Sequence, residues 1–237
     1  MTLMQARLVD GKWQAPTVLP FSGRWNDGDG VLSPDGARYV FISNRPEAGD
    51  TPRADLDLWQ VLRQPDGSWG KPSRLPDHIN GNTNEIYPSI AADGTLYFGR
   101  AGGPLLRAKL VDGSYAAPEP LPFAGMSFAV APNQRFGIVA IADANRNIDL
   151  FYVENGSGGW GVPRRLDGPV NSPLMEFTGA ITPDGKALLF SSTRRAANLA
   201  WPRTRTLRSA AEVDAELQGV VHNGLRNIYR VELPQLP

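Results

Sequence analysis

The sequence contains no cysteine and only two histidines among its 237 residues. Without cysteine, the chain forms no disulfide, holds no zinc through thiolates and has no cysteine nucleophile. The histidines, His78 and His222, are too few for a three-histidine metal site, and each is expected to be a solvated loop residue. Carboxylates, hydroxyls and arginines therefore remain as the groups able to carry a binding or catalytic function.

The chain also lacks a net charge, because 24 basic residues balance 24 acidic ones. Nucleic acids and anionic membranes attract basic surfaces, so we expect neither a nucleic-acid partner nor membrane insertion. The sequence has no run of about 18 apolar residues, so no transmembrane helix is expected. The N-terminus lacks the pattern of a signal peptide, which leaves the compartment open. Neither a serine-hydrolase elbow nor a glycine-rich nucleotide loop occurs.

One phrase occurs four times along the chain, with the pattern W/Y-x-x-P-x-x-L. Its aromatic residues lie 56, 46 and 45 positions apart, and this regularity indicates an internal repeat. The aromatic residues are Trp13, Trp69, Tyr115 and Trp160, the prolines are Pro16, Pro72, Pro118 and Pro163, and the leucines are Leu19, Leu75, Leu121 and Leu166.

A second phrase alternates with the first and combines a Pro-Asp-Gly turn with a short apolar run. Its copies are SPDGARYVFISNR (33–45), AADGTLYFGR (91–100), the degenerate APNQRFGIVAIAD (131–143) and TPDGKALLFSSTR (182–194). A third, strand-like segment follows each hairpin, as in LDLWQVLR and IDLFYVE, and also occurs near both ends of the chain. One unit therefore has four strands, which we call A, B, C and D.

A four-stranded antiparallel unit of about 45 residues is typical of a β-propeller blade, so the predicted fold class is all-β. We expect the aromatic residue of the first phrase to cap the corner between strands C and D against the neighbouring blade. The leucine is expected in the core between blades. The predicted domain is a single propeller over residues 1–237, with blade units at 1–20 (partial), 21–76, 77–122, 123–167 and 168–237.

The segments SPDGARYVFISNRP, TPDGKALLFSSTR, DLDLWQV and DGSWGKP resemble the WD40-like (PD40, TolB-type) β-propeller repeats of bacteria. The resemblance covers nearly the whole chain. It implies a binding scaffold, and a periplasmic or secreted location if upstream residues are missing. Other proteins with such repeats carry the propeller beside a peptidase domain.

The number of blades is left open between two arrangements, because there are four A–B hairpins but five C strands. Either the ring has four complete blades, with residues 14–19 closing the last and residues 3–9 displaced, or it has five with the first incomplete. We favour the second arrangement, since residues 3–9 match a C strand. An open blade edge would then offer a route to a homodimer.

Antiparallel connections place the A–B and C–D turns on one face of the ring and the B–C and D–A connections on the other. Binding is expected on the second face, which carries the longer loops. The last B–C connection is an insertion at residues 195–226. Within it, Ser209 and Glu212 form a capping box that predicts a short helix at 210–218, as a lid or a specificity element.

Three A strands begin with a carboxylate eight residues before the turn aspartate, and three B strands end with an arginine. The favoured interpretation is a ring of carboxylate–arginine pairs that join neighbouring blades. One alternative is a Ca²⁺ ion held in the axial channel by Asp27, Glu85 and Glu176, and another is glycoside hydrolysis by two carboxylates. The candidate binding residues at the channel mouth are Asp27, Asp29, Arg45, His78, Glu85, Arg100, Glu176, Arg194 and His222.

The sequence thus favours a non-catalytic propeller that binds a protein or a small molecule on the face with the D–A and B–C loops. No cofactor is expected apart from the Ca²⁺ alternative. The competing function is that of a hydrolase or glycosidase that uses the carboxylates at the channel mouth.

Overall fold

A computed structural model of the chain describes residues 1–194, 209–212 and 226–233. The structure is a β-propeller whose antiparallel blades follow one another along the chain, and the fold class predicted from the sequence is confirmed. Blade 1 consists of β5 (Asp27–Leu32), β6 (Arg38–Ser43), β7 (Asp57–Leu62) and β8 (Ser73–Arg74). These four strands correspond in order to A, B, C and D.

Blades 2 and 3 repeat this order with small additions. Blade 2 contains β9 (Glu85–Ile90), β10 (Leu96–Arg100), β11 (Leu105–Ala108) and β14 (Glu119–Pro120), and a short hairpin of β12 (Leu110–Val111) and β13 (Ser114–Tyr115) forms its C–D corner. Blade 3 contains β15 (Ser127–Val130), β16 (Phe136–Ala142), β17 (Ile148–Gly156), β18 (Gly159–Trp160) and β19 (Arg164–Arg165).

Blade 4 has three described strands, namely β20 (Glu176–Ile181), β21 (Ala187–Ser192) and β22 (Asn227–Glu232). Residues 210–212 are helical, and Ser209 and Glu212 form the predicted capping box, with the Ser209 amide donating to Glu212 Oε2 over 2.8 Å. The rest of the predicted helix, residues 213–218, lies outside the described residues. No helix in the described ranges is long and apolar enough to cross a bilayer.

The N-terminal residues form the outer half of a further blade. Strand β1 (Met4–Gln5) pairs with β4 (Thr17–Val18), and β2 (Leu8–Val9) pairs with β3 (Lys12–Trp13), as in a C strand and D strand. The half-blade packs on blade 1, where Leu3 and Leu19 join a cluster around Phe41. Because β4 pairs with β1, it does not close blade 4 within the described residues. The predicted homodimer concerns a second chain and stays a prediction.

The apolar core consists of layers between successive blades, and the repeated leucines lie in it. Their exposed fractions are 5% for Leu19, 1% for Leu75, 7% for Leu121 and 0% for Leu166. The aromatic residues of the same phrase behave less uniformly. Tyr115 and Trp160 are buried and Trp69 is half-buried, but Trp13 is 72% exposed. The expected corner role fails for Trp13, since no described residue covers the outer side of the half-blade.

The Asp-Gly turns of the A–B hairpins form as expected. In blade 1, Gly36 has a φ of 72°, a left-handed conformation that glycine adopts without steric cost. Asp35 Oδ1 accepts hydrogen bonds from the Ala37 amide (3.0 Å) and the Ser33 hydroxyl (2.5 Å), and these bonds lower the pKa of Asp35. The turn is thus fixed by its own sequence, and the register of the two adjoining strands follows from it.

We predict that Leu75→Ala and Leu166→Ala each lower the free energy of unfolding by about 2–5 kcal/mol, because each opens a cavity between two blades. Equilibrium denaturation in urea measures the change. Trp13→Ala is the control from the same repeated phrase, and it should cost less than about 0.5 kcal/mol because the ring is exposed. Equal losses in Leu75→Ala and Trp13→Ala would contradict this account of the repeat.

Candidate functional site

Asp27, the first residue of β5, is completely buried and fully paired. Its Oδ1 accepts hydrogen bonds from Arg45 Nη2 over 2.7 Å and from the Ser43 hydroxyl over 2.6 Å. Its Oδ2 accepts one from the Ser22 hydroxyl over 2.8 Å. Arg45 also donates to the Phe21 carbonyl, so the pair ties β5 and β6 to the chain entering the blade.

Glu176 repeats this arrangement at the start of β20. Its Oε1 accepts from the Ser172 hydroxyl (2.6 Å) and the Ser192 hydroxyl (2.7 Å), and Arg194 Nη2 lies 3.4 Å away. Its Oε2 accepts from the Ser172 amide over 3.0 Å. Arg194 additionally donates to the carbonyls of Pro169 and Val170. The carboxylate–arginine pairs expected from the sequence thus form in blades 1 and 4, but each joins strands A and B of one blade and the connection that enters it, whereas the expected pairs joined neighbouring blades.

Glu85, in blade 2, is equally buried but less completely paired. Its Oε1 accepts from the Gly81 amide over 2.9 Å and from Arg100 Nε over 3.2 Å. Its Oε2 has no hydrogen-bond partner in the described part of the chain. Burial raises the pKa of Glu85, and the nearby charge of Asp57 adds to this effect, while the Gly81 amide and Arg100 oppose it.

Blade 3 has no carboxylate at the corresponding position, which Gly125 occupies. A Cβ atom there would lie 2.3 Å from Val139 Cγ2 and 3.1 Å from the Ala140 carbonyl oxygen. The blade therefore has no room for a side chain at this point. The three carboxylates do not converge on one another, and no group of three His, Asp or Glu side chains among the described residues is placed to share a metal ion.

Two asparagines that the sequence interpretation did not single out fasten the D–A connections. Asn80 accepts a hydrogen bond from the Leu58 amide and donates to the carbonyls of Leu58 and Leu75. Asn171 makes the same set of bonds in the fourth blade unit, with Leu150 and Leu166. Each asparagine stands five residues before a buried glutamate and follows Ile or Val, a repeated spacing that would have identified both.

A buried carboxylate at the start of β7 was also missed. Asp57 Oδ2 lies 2.6 Å from Arg74 Nε and 2.5 Å from Arg53 Nε. Its Oδ1 has no hydrogen-bond partner within the described residues. The Asp57–Arg74 pair has a counterpart in blade 3, where Arg165 donates to Asp149, so the repeat could have identified it. Arg53 belongs to the irregular B–C connection of blade 1, and the repeat does not mark it.

These groups surround a polar recess on the face that carries the B–C and D–A loops, between blades 1 and 2. We call it the rim recess; its volume is about 540 Å³. It is lined by Arg53, Arg74, Asp77, Asn80, Gly81, Asn82 and Arg100. Of the residues predicted for a site on this face, the recess includes Arg100 and lies beside Glu85, whose Oε1 bonds Arg100 and Gly81.

Of the two histidines, the structure describes only His78, which does not line the rim recess. His78 is exposed, and its Nε2 donates to the Tyr115 carbonyl over 2.7 Å, as a loop residue would. His222 lies outside the described residues. The pairs of Asp27 with Arg45 and of Glu176 with Arg194 belong to separate blades, so the predicted residues form several local groups and do not form one ring at the channel mouth.

Asp29, the remaining predicted residue, lines a second concavity, which we call the axial cavity. This cavity has a volume of about 220 Å³ and lies between the inner strands β5, β9, β15 and β20. Its lining continues to Pro34, Pro132 and Pro183, which belong to the A–B turns. It therefore opens toward the face opposite the rim recess.

No family model and no curated relative matches the chain. Among solved structures, a putative TolB from Agrobacterium tumefaciens is similar with a TM-score of 0.52 and 16% identity, over 80% of this chain and 62% of that chain. TolB from Acinetobacter baumannii is similar with a TM-score of 0.50 and 16% identity, over 82% of this chain and 47% of that chain. The chain spans less than two thirds of either structure, and the likeness shows a TolB-like propeller fold.

We predict that Asp27→Asn lowers the free energy of unfolding by about 3–5 kcal/mol, because Arg45 would stay buried without its counter-ion. Chemical denaturation measures the loss. Asp50→Asn removes the exposed partner of Arg24 and serves as the matched control, with an expected loss below about 1 kcal/mol. A loss for Asp27→Asn as small as that of the control would show that the pair is not structural.

The raised pKa of Glu85 predicts a pH-dependent contribution to stability. Above the ordinary glutamate pKa and up to the raised value, the folded protein keeps a proton that the unfolded chain has lost, so stability from this group falls as pH rises. The free energy of unfolding of Glu85→Gln, minus that of the unmodified protein, should therefore increase with pH across this window. Urea denaturation between pH 4 and pH 8 measures it, with Glu119→Gln as an exposed control; a decreasing difference contradicts the prediction.

Proposed function

We propose that this protein is a non-catalytic binding propeller of the WD40-like (PD40) type, of bacterial origin, that engages a protein partner through the rim recess. The observation that carries the proposal is the convergence of three guanidinium groups in one concavity on the loop face. They come from the B–C connection, the D strand and the end of the B strand, at Arg53, Arg74 and Arg100. Planar guanidinium groups recognise carboxylates with two parallel hydrogen bonds, so we propose a partner segment with acidic side chains.

The buried carboxylates hold these arginines in place before any partner arrives. Asp57 contacts both Arg53 and Arg74, and Glu85 contacts Arg100. The side chains of Arg53 and Arg100 are still 31% and 30% exposed, so each reaches from a buried carboxylate to the solvent. Fixed donors lose little conformational entropy on binding, and this preorganisation favours affinity for a complementary partner.

Part of the donor capacity of the recess is unused. Within the described residues, the Arg100 guanidinium donates through Nε to Glu85 and through Nη2 to the Ile79 carbonyl, and its other N–H groups make no further hydrogen bond. Asn82 is exposed at the edge and adds an amide. These donors would meet the oxygens of a partner carboxylate, while the exposed Asp77 would favour partners that also carry an N–H group.

The pairing of the channel-mouth carboxylates supports a scaffold over an enzyme. Asp27 and Glu176 accept hydrogen bonds on both of their oxygens, so neither is placed to transfer a proton or to attack a substrate.

One observation favours the alternative of a hydrolase or glycosidase. Glu85 and Asp57 each keep one buried oxygen without a hydrogen-bond partner in the described ranges, and carboxylate-dependent hydrolysis uses two such groups.

The test is the binding of a fluorescein-labelled hexapeptide of alternating Asp and Glu, followed by fluorescence polarisation, against the corresponding Asn and Gln peptide. We expect the acidic peptide to bind more tightly, with an affinity that falls as salt is added. Arg53→Gln should weaken binding about tenfold, as the loss of one charge-assisted hydrogen bond would. Asn82→Asp, which leaves every buried pair intact, should weaken it similarly by repulsion.

Arg164→Gln is the matched control, because it removes the same charge from an arginine on blade 3 that is 62% exposed. Equal binding of both peptides, or equal weakening by Arg164→Gln and Arg53→Gln, would overturn the proposed recess. Hydrolysis of the peptide or of nitrophenyl glycosides that disappears in Glu85→Gln would instead support the alternative function.

A further inference from the structure

The axial cavity is a second concave site, separate from the rim recess and at the other end of the inner strands. Its walls are mostly apolar and include Val31, Ile90, Phe128 and Ile181. Its polar groups include Asp29 and the serines of β9 and β15. A carboxylate on a largely apolar wall is energetically costly unless a positive charge compensates it.

Asp29 is half-buried, and unlike the fully buried acidic residues of the blades it has no arginine partner among the described residues. Asp27, Asp57, Glu85 and Glu176 each have an arginine partner. Asp29 accepts one hydrogen bond, on Oδ2 from the Tyr87 amide over 3.2 Å, and it has no ion pair within the described residues. Burial raises the pKa of Asp29, as expected for a carboxylate that lacks a counter-ion.

The backbone at this point is held in an unusual conformation. Asp29 and Tyr87 have φ values of 46° and 53°, in the left-handed region, and both lie where the pairing of an inner strand with its neighbour shifts by a β-bulge. Such conformations cost about 1–3 kcal/mol each and tend to occur at ligand sites. The two bulges are equivalent positions in blades 1 and 2, and the hydrogen bond between Asp29 and Tyr87 joins them.

The lining defines the chemical class of ligand. A metal ion such as Ca²⁺ takes six to eight oxygen ligands, whereas the cavity offers one carboxylate and walls of hydrocarbon. An organic ammonium ion matches both features, because its N–H groups bind the carboxylate and its carbon skeleton contacts the apolar walls. The half-buried Tyr87 adds an aromatic side chain, a group that attracts cations, to the lining. The volume of about 220 Å³ lies below that of drug-sized pockets, so the ligand is small.

We propose that the axial cavity binds a small organic ammonium ion, with the ammonium group on Asp29 and the hydrocarbon part against Val31, Ile90, Phe128 and Ile181. Arg226 is a described cation near this cavity, because its charge lowers the pKa of Tyr87, and its guanidinium lies 4.0 Å from the ring centre of Phe177. It makes no ion pair with Asp29 in the described ranges, so the carboxylate stays available to a ligand. The site does not depend on the rim recess or on its proposed partner.

The test uses 2-phenylethylamine and its uncharged counterpart 2-phenylethanol, with the full chain in isothermal titration calorimetry and in amide-resolved NMR. We expect saturable binding of the amine, at least tenfold tighter than that of the alcohol, with the largest shifts at Tyr87, Ser89 and Ser127. Asp29→Asn should weaken amine binding at least tenfold. Asparagine tolerates the left-handed conformation and can still accept the Tyr87 amide, so the fold is retained.

Asp112→Asn is the matched control, since Asp112 also has a left-handed φ, of 49°, but lies in an exposed turn of blade 2. This variant should bind the amine as the unmodified protein does, and so should Arg53→Gln in the rim recess. Thermal unfolding gives a second measurement, in which the amine raises the melting temperature of the control but not of Asp29→Asn. Unchanged affinity in Asp29→Asn, equal affinity for the alcohol, or no saturable amine binding would each overturn the proposal.

Discussion

The pairing of a buried carboxylate with an arginine is the interaction on which this propeller depends. An inner strand must begin at the crowded centre of the ring, where a charged side chain is costly unless its partner is buried with it. Asp27 with Arg45 and Glu176 with Arg194 meet this condition by joining the start of the A strand to the end of the B strand and to the preceding connection. The apolar layers between blades then give most of the stability, while the pairs fix where blades 1 and 4 begin.

The same kind of carboxylate–arginine pair has a structural role in two blades and lines the proposed binding site elsewhere. In blades 1 and 4 both carboxylate oxygens accept hydrogen bonds, and the arginine also donates to backbone carbonyls of the preceding connection. Around Glu85 and Asp57 the pairing is incomplete, and the arginines extend toward the loop face. A repeated fastening element has thus been altered in one sector of the ring, and that sector holds the polar concavity on which the proposed function rests.

The parts of the molecule that are encoded locally and repeated could be predicted from the sequence. The turn aspartates, the buried leucines and the carboxylate–arginine pairs recur at a fixed spacing, so their positions followed from the period. The rim recess was only partly foreseen, because Arg53 comes from an irregular connection and reaches Asp57 through tertiary packing. The Asp57–Arg74 pair itself recurs as Asp149–Arg165 in blade 3 and could have been found from the repeat. The bulges at Asp29 and Tyr87 were not foreseen, since strand register depends on the partner strand.

The departure of blade 3 from its neighbours has a consequence for the centre of the ring. In a propeller with identical blades, a small ligand in the axial cavity would bind equally well in several orientations related by rotation about the axis. Gly125 replaces the carboxylate, and β15 pairs with β16 in unbroken register. One wall is therefore regular, whereas β5, β9 and β20 each carry a bulge at the equivalent position. Because of this asymmetry, orientations of a ligand that differ by rotation about the axis make different contacts, and one degenerate copy of the repeat is enough to make them inequivalent.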